Sequence, residues 1–463
     1  METFTVSTGV GIIEIVLRNC YKRPIELLSR KRCAEEIVLK FLLAFVLLIT
    51  TWSTAYAEKA TFTFLKTLTV TELNVMLSTE RDGFLQSATA GNGYQLPPSS
   101  TASNDVDIYI VRYWSRSPDL AKGKRTMVSG MLAMPRLSNI SSIPLLSYQH
   151  GTVWGKYEVP SYAFKEANPI GYQHYPNAYE TRYMVALFAG NGYAVMAADY
   201  FGMGDASRDN EAYMIKRSTA QVNYDLYLDV RKYLASRSIS ASKFFLGGWS
   251  QGGINTTGFL ELLENRGVTV NATFTASSPS DPFAALNGIF YHPRSRDASW
   301  LNTLVALTIF SCEKYMGSNG LARATINPNY FQGFKSIYER TAYPEGFHSL
   351  LKQWGGTPNV NYLRPEFRDP AFFANSAYGK CLAANETYRQ EFRTPIRMFY
   401  GSNDEVIRER IALLGSDYQE TLVDTPDTPS SNTITPILVN GADHRFTFIS
   451  AAPLAKAWMD NLP

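Results

Sequence analysis

The sequence predicts an α/β protein with a doubly wound, mostly parallel sheet and one inserted, mainly helical cap. Three observations lead to this prediction. From residue 107 onward, short apolar runs alternate with stretches of helical spacing. Several of these runs end in polar residues and glycine, which is typical of strands covered on both faces. Between residues 281 and 390 the alternation stops, and aromatic, proline and glycine residues predominate.

Composition narrows the class of protein. The chain has 463 residues, of which 45% are hydrophobic and 18% are charged, as in a globular protein with a large core. The formal net charge of +3 is small and unclustered, so we expect no nucleic-acid partner. Because no Cys-x-x-Cys or His-x-x-x-His spacing occurs, we predict neither a metal site nor a cofactor.

Residues 1–57 are interpreted as an over-extended start followed by a secretory signal peptide. The apolar run 41–49, "FLLAFVLLI", follows a lysine and precedes the Ala-Tyr-Ala cleavage pattern at 55–57. A membrane helix needs about 20 apolar residues, but an uncleaved anchor is the alternative. We expect translation to begin near Val38, because the preceding segment is long and carries acidic residues. The predicted location is therefore secreted or periplasmic.

Residues 58–105 are predicted to form an N-terminal extension, and residues 106–280 the first part of the core. The predicted strands of this part are, in chain order, "DIYIVRYWS", "RTMVSGMLAMP", "IPLLSYQHG", "YAVMAADYFG", "KFFL" and "ATFTASSP". The predicted helices are "NAYETRYMVALFAGNG", which ends at two glycines, "AQVNYDLYLDVRKYLASR" and "INTTGFLELLEN". Functional residues of such a sheet lie at the carboxyl ends of its strands.

Residues 281–390 are predicted to form a cap over that edge, since long insertions of this kind are usually functional lids. A small domain with only a scaffolding role is the alternative. Residues 391–463 complete the core with the strands "PIRMFYGSND" and "TPILVNGADH" and the closing helix "APLAKAWMDNL".

The stretch 247–253, "GGWSQGG", lies between a predicted strand and a predicted helix with no spacer. Such a turn strains the residue between the two elements, and the flanking glycines let neighbouring backbone pass closely. Ser250 would then stand on a sharp elbow, with the amide of Gln251 at the helix N-terminus facing any oxyanion beside it. A plain glycine-rich turn is the alternative.

A serine nucleophile needs a base, and the chain has five histidines. His444 follows the strand "TPILVNGAD", which places it in a loop at the functional edge. The other four are expected to be architectural, solvated or packed: His150, His174, His292 and His348. A buried structural role for His444 is the alternative.

The acid that orients the base should lie between serine and histidine, at the end of the preceding strand. Asp404 in "MFYGSNDEVI" has that position. Glu405 is expected to point elsewhere, and Asp443 adjoins the histidine, where neighbouring side chains diverge. An aspartate in a surface turn is the alternative for Asp404.

A second oxyanion donor is expected from "LLSYQHGTVWG", where Gly151 lets backbone approach the substrate. The donor would be the amide of Thr152 or of Gly151, beside that of Gln251. The aromatic residues that follow suit a substrate wall, although core packing is their more common use. They are Trp154, Tyr157, Tyr162, Phe164, Tyr172, Tyr175 and Tyr179.

Taken in order, these motifs resemble the α/β-hydrolase superfamily from about residue 107 to the end, and within it the secreted bacterial esterases and lipases with a cap. The Ser-Gln-Gly-Gly elbow is also similar to that of carboxylesterases and acyl-protein thioesterases. Trp249 and the doubled glycine resemble prolyl-oligopeptidase-type peptidases, but those carry a large N-terminal β-propeller, for which residues 58–106 leave little room.

This resemblance implies a serine hydrolase that cleaves carboxylic esters through an acyl-enzyme on Ser250, without a cofactor. The expected partner is a small-molecule or lipid ester, with transient contact to a membrane or lipid interface. A peptidase and a non-enzymatic binding protein on a hydrolase scaffold are the alternatives.

Cys312 and Cys381 are the two cysteines left after a signal peptide is removed, and both lie in the predicted cap. Exported thiols tend to pair, so we predict a disulfide between them. Two unpaired buried cysteines are the alternative.

Overall fold

A computed structural model describes residues 59–86, 96–97, 101–116, 118, 125–165, 178–343, 345–354, 359–423 and 433–463. The chain divides into two compact units, 1–59 and 60–463, and the second contains all the elements described below. The predicted signal peptide lies outside the described residues.

The core is one nine-stranded sheet in the order β1-β2-β3-β5-β4-β6-β7-β8-β9. Its strands are β1 (Thr61–Leu68), β2 (Val106–Arg116), β3 (Arg125–Pro135), β4 (Ser142–Gln149), β5 (Ala194–Ala198), β6 (Ser240–Trp249), β7 (Ala272–Ala276), β8 (Ile396–Gly401) and β9 (Ile434–Val439). The six strands from β5 to β9 pair in parallel, and β1 to β3 join them through antiparallel pairing. The predicted mostly parallel sheet is confirmed.

Helices cover both faces of the sheet. They are α1 (Val70–Leu85), α2 (Tyr179–Phe188), α3 (Lys216–Ser236), α4 (Gln251–Asn265), α12 (Glu409–Val423) and α13 (His444–Asp460). Successive strand residues point to opposite faces, so Phe245 joins the apolar cluster beneath α1, α2 and α13. Its neighbours Phe244 and Leu246 join the cluster beneath α3 and α4. This two-sided burial explains the continuous apolar runs of the strands.

The predicted N-terminal extension contributes to the sheet. β1 pairs antiparallel with β2, and α1 follows it directly, with a capping box between Thr69 and Glu72. The sheet therefore begins at residue 61, ahead of the first strand predicted from the sequence. β1 is an edge strand, and only Leu68 of its eight residues is buried, so its sequence carries little of the apolar signal of a core strand.

The predicted cap is helical. Its helices are α5 (Pro282–Tyr291), α6 (Asn302–Tyr315), α7 (Leu321–Thr325), α8 (Phe331–Tyr338), α9 (Glu345–Trp354), α10 (Pro370–Asn375) and α11 (Ala377–Ala383). They enclose an apolar cluster of their own, which includes Leu307 and Phe334. A disulfide joins Cys312 on α6 to Cys381 on α11, across 69 residues of sequence.

Two further findings concern the described part of the chain. None of its helices has both the length and the apolar character that crossing a membrane requires. Its histidine, cysteine and acidic side chains form no group of three or more that could hold a metal ion.

Candidate active site

Ser250 lies at the tip of a strand-to-helix elbow. β6 ends at Trp249 and α4 begins at Gln251, while Ser250 between them has φ 57° and ψ −123°. A non-glycine residue with positive φ is strained, and such strain persists where the surroundings hold it in place. A Cβ on Gly252 would lie 1.9 Å from the carbonyl oxygen of Gln149, so only glycine fits beside the elbow.

The structure brings Ser250, His444 and Asp404 together in one hydrogen-bonded chain. The His444 Nε2 atom lies 2.9 Å from the Ser250 Oγ atom. The His444 Nδ1 atom lies 3.0 Å from Asp404 Oδ2 and 3.1 Å from Asp404 Oδ1. All three side chains are buried. The three residues follow β6, β9 and β8, so the carboxyl ends of parallel strands assemble the chain, as expected for an open α/β sheet.

The charges of this chain support one another. Burial lowers the pKa of His444, but the Asp404 carboxylate opposes burial strongly enough that the pKa is raised overall. Burial raises the pKa of Asp404, yet the charge and hydrogen bond of His444 bring it below its usual value. Two backbone amides, of Val406 and Ile407, donate to Asp404 Oδ1 at 2.8 and 2.7 Å. The geometry therefore favours an ionised aspartate beside the imidazole.

Glu405 corrects an expectation from the sequence. It was expected to point elsewhere, but its Oε2 atom accepts the backbone N–H of His444 at 3.0 Å. The chain turns after β8, so neighbouring side chains there do not alternate in direction as they would in a strand. Asp443 does diverge from the imidazole, and its carboxylate caps the N-terminus of α13.

The oxyanion donors also differ in part from expectation. The amide of Gly151 donates to the buried carboxylate of Glu180 at 2.9 Å, so it is occupied. The amides of Thr152 and Gln251 make no hydrogen bond within the described residues. A Cβ on Gly151 would lie 2.6 Å from a ring carbon of Trp249, which explains the glycine.

The remaining histidines lie apart from the Ser250 chain. His150 is buried, and burial lowers its pKa to about 4, so it is neutral near pH 7. His348 lines a cavity in front of Ser250, whereas His292 ends α5 in the cap. His174 lies outside the described residues.

Two cavities meet at Ser250. One, of about 490 Å³, is almost wholly apolar and extends between the sheet edge and the cap helices α5 and α6. Its lining includes Met214, Leu286, Ile289, Leu301, Leu304 and Ile407. The other, of about 1110 Å³, is wider and mixes aromatic with charged side chains. Its lining includes Trp154, Trp300, Phe347, Glu405, His444 and Arg445.

Most of the aromatic residues predicted as a substrate wall have another place. Trp154 lines the wide cavity, whereas Tyr157, Tyr162 and Phe164 pack in the apolar cluster beneath α2. Tyr179 packs against the same cluster. Tyr172 and Tyr175 lie outside the described residues. Core packing is thus the role of most of those that are described.

A buried ion pair at the elbow had no signal in the sequence. The side-chain amide of Gln251 donates to Glu211 Oε1 at 2.8 Å, and Arg340 of the cap pairs with Glu211 Oε2. Both charged side chains are almost fully buried, at 2% and 3% exposure. The pair links the residue after Ser250 to the end of α8. Isolated charged residues in loops carry no periodicity, so only the fold reveals their pairing.

Comparison with known proteins agrees with this geometry. Residues 179–267, which run from α2 through the elbow to the end of α4, match the prolyl oligopeptidase family. The rice cell wall degrading esterase LipA of Xanthomonas oryzae superposes with a TM-score of 0.70 at 16% identity, covering 88% of this chain and 100% of that one. Candida antarctica lipase A superposes with a TM-score of 0.54 at 15% identity, covering 76% of this chain and 77% of that one.

A protein of Legionella pneumophila described as a candidate hydrolase is equally similar, with a TM-score of 0.69 at 18% identity. The match covers 88% of this chain and 100% of that one. No curated protein sequence matches the chain significantly. The chain therefore has the α/β-hydrolase fold, with a helical cap, and the structural neighbours together with the family match support a hydrolase.

Proposed function

We propose that this protein is a serine hydrolase that cleaves carboxylic esters through an acyl-enzyme on Ser250. The observation that carries the proposal is the buried chain of hydrogen bonds from Ser250 through His444 to Asp404, which faces two cavities. A nucleophile, a base within hydrogen-bond reach and an acid that orients the base are the parts that acyl transfer requires.

The proposed reaction has two symmetrical halves. Asp404 accepts the Nδ1–H of His444, so Nε2 is free to take the proton of Ser250 as its oxygen attacks the ester carbonyl. The amides of Gln251 and Thr152 stabilise the oxyanion, by about 3 kcal/mol per donor in comparable sites. His444 then gives the proton to the leaving alcohol. Water repeats the sequence and releases the acid.

The two cavities suggest how an ester would lie. The leaving alcohol must be near His444, which protonates it, and His444 lines only the wide cavity. The acyl chain would then occupy the narrow apolar cavity between α5, α6 and Ser250. Burial of apolar surface would bind that chain, at about 0.8 kcal/mol for each buried CH₂. We propose esters of apolar acids as substrates, with a polar or aromatic alcohol.

Ester cleavage is favoured over peptide cleavage by the acyl cavity. It offers almost only apolar surface, and an amino-acid residue would bring backbone polar groups into it without partners. LipA and lipase A, which share the fold, are named for ester cleavage. The prolyl oligopeptidase match covers the elbow and its flanking helices, parts that act in the same way on esters and peptides. A pure binding role is disfavoured because serine, histidine and aspartate are all in place.

The test is hydrolysis of nitrophenyl esters from acetyl to palmitoyl by the wild type and by Ser250→Ala. We expect turnover by the wild type, best with acyl chains longer than acetyl, and loss of turnover in the variant. Ser416→Ala, which removes a buried serine hydroxyl on α12 that has no hydrogen-bond partner, is the matched control and should keep full activity. Wild-type activity in Ser250→Ala would refute the mechanism. Faster cleavage of an aminoacyl amide than of any ester would favour the peptidase.

We also propose that the protein is exported and acts on small-molecule or lipid esters, with transient contact to a lipid interface. The disulfide in the cap supports export, because disulfides persist in oxidising compartments. The N-terminal sequence of the exported protein tests this proposal, since cleavage after residue 57 is expected. Activation by an oil–water interface would indicate a lipase.

A further inference from the structure

A buried carboxylate lies directly behind the loop that carries the proposed oxyanion donor. Glu180, in the first turn of α2, is 2% exposed. Its Oε1 atom accepts the backbone N–H of Gly151 at 2.9 Å, and its Oε2 atom accepts the hydroxyl of Tyr148 at 2.7 Å. Tyr148 belongs to β4 and Gly151 follows that strand. One carboxylate therefore ties the end of the strand to the start of the loop.

A second contact holds the other side of Gly151. The His150 Nδ1 atom lies 2.8 Å from the Gly151 carbonyl oxygen. Because that oxygen can only accept, Nδ1 carries the proton. The ring of Tyr200 stacks on His150 at 4.1 Å, and its hydroxyl donates to the His150 carbonyl oxygen at 2.8 Å. The imidazole is thus fixed in both position and tautomer.

These contacts determine where the next amide points. In a trans peptide the carbonyl and the following N–H point in opposite directions, so fixing the carbonyl of Gly151 also fixes the N–H of Thr152. Thr152 lines both cavities beside Ser250. With the amide of Gly151 held by Glu180, Thr152 supplies the loop's one available donor at Ser250.

We propose that Glu180 is a positioning residue, whose carboxylate holds the Gly151 amide so that the Thr152 amide is aimed at the oxyanion. This inference rests on the proposed function. Burial raises the pKa of Glu180 to about 7, while the hydrogen bonds from Tyr148 and Gly151 and the charges of Arg445 and His444 oppose the rise. Such a buried carboxylate is costly for the fold, which is consistent with a role in the site.

The first test compares Glu180→Leu with Glu180→Gln. Leucine fills the space but leaves the Gly151 amide without an acceptor, whereas the oxygen of glutamine can still accept it. We expect kcat of the leucine variant on a nitrophenyl ester to fall by about 10- to 100-fold, somewhat less than the loss of a whole oxyanion donor. KM should change by less than about threefold, because the oxyanion forms only in the transition state. Glutamine should restore kcat to within about threefold of the wild type.

Glu264→Leu is the matched control. Glu264 also accepts a backbone amide, that of Thr394 at 2.8 Å, but before the start of β8 and away from Ser250. Its loss should lower the melting temperature and leave kcat unchanged. A Glu180→Leu enzyme with wild-type kcat would overturn the inference, and so would a Gln variant as impaired as the Leu variant.

A second measurement uses the wild-type protein and does not depend on the stability of a variant. In a crystal structure of the enzyme phosphonylated at Ser250, the phosphonyl oxygen should accept the amides of Thr152 and Gln251, while the Gly151 amide stays on Glu180. An oxygen bound by the Gly151 amide would overturn the inference alone. Wild-type protein that neither reacts with the phosphonate nor cleaves esters would overturn the proposed function, and the inference with it.

Discussion

Replacement of Asp404 by asparagine tests the proposed mechanism at its most informative point. The amides of Val406 and Ile407 both donate to Asp404 Oδ1, at 2.8 and 2.7 Å, and they will hold the remaining oxygen of asparagine at that position. The new NH₂ group then occupies the place of Oδ2, 3.0 Å from the His444 Nδ1 atom. Since NH₂ can only donate, Nδ1 must become the acceptor.

That exchange disables the base without removing it. If Nδ1 accepts, the proton of the neutral imidazole resides on Nε2, which lies 2.9 Å from the Ser250 Oγ atom. Nε2 can then no longer accept the proton of the serine. In a comparable triad the wrong tautomer lowers kcat about 10⁴-fold, which corresponds to about 5 kcal/mol of activation free energy. We expect a loss of this size, somewhat smaller than that from replacing Ser250 or His444.

The pH profile provides an independent sign. Activity requires neutral His444, so kcat/KM rises as pH increases through the His444 pKa. The Asp404 carboxylate raises that pKa, so the acid limb of the wild type should lie above the unperturbed histidine value of about 6.5. Asparagine removes the charge that raises the pKa, while burial still lowers it, so the limb should move to lower pH.

The assay is kcat/KM for nitrophenyl butyrate between pH 4 and pH 10, with circular dichroism as the check on folding. A folded Asn variant within about tenfold of wild-type activity would refute the tautomer argument. A limb that stays in place or moves to higher pH would show that Asp404 does not set the pKa of the base.

Two further predictions concern the cap. Arg340→Met breaks a buried ion pair and strands the Glu211 carboxylate, so it should lower the free energy of unfolding by about 3–5 kcal/mol, while the Glu211→Gln/Arg340→Met double variant should lose less in urea denaturation. Cys312→Ala/Cys381→Ala opens a loop of 69 residues and should lower the stability of the cap by about 4 kcal/mol in the chain-entropy estimate, measured by calorimetry of the oxidised wild type and the variant. An unchanged melting temperature would contradict either prediction.

Only the tertiary structure selected among neighbouring groups. Glu405, next to Asp404 in sequence, contacts the backbone of His444 and not its ring, because the chain turns between the two carboxylates. Gly151 and Thr152 were equivalent candidates until the structure placed Glu180 on the first amide. A hydrogen bond depends on the direction of one N–H, and that direction follows from partners far away in the sequence.

The sequence by itself determined the layout of the protein and the order of its chemical groups. Buried parallel strands require continuous apolar runs, a strand-to-helix elbow requires small residues around Ser250, and an acid and a base delivered by later strand ends must follow it in the chain, as Asp404 and His444 do. Local patterns record such needs. The tertiary structure decided what no local pattern records: the place of β1 at the sheet edge, the Glu211–Arg340 pair and the contact of Glu180, because packing across the fold brings these groups together.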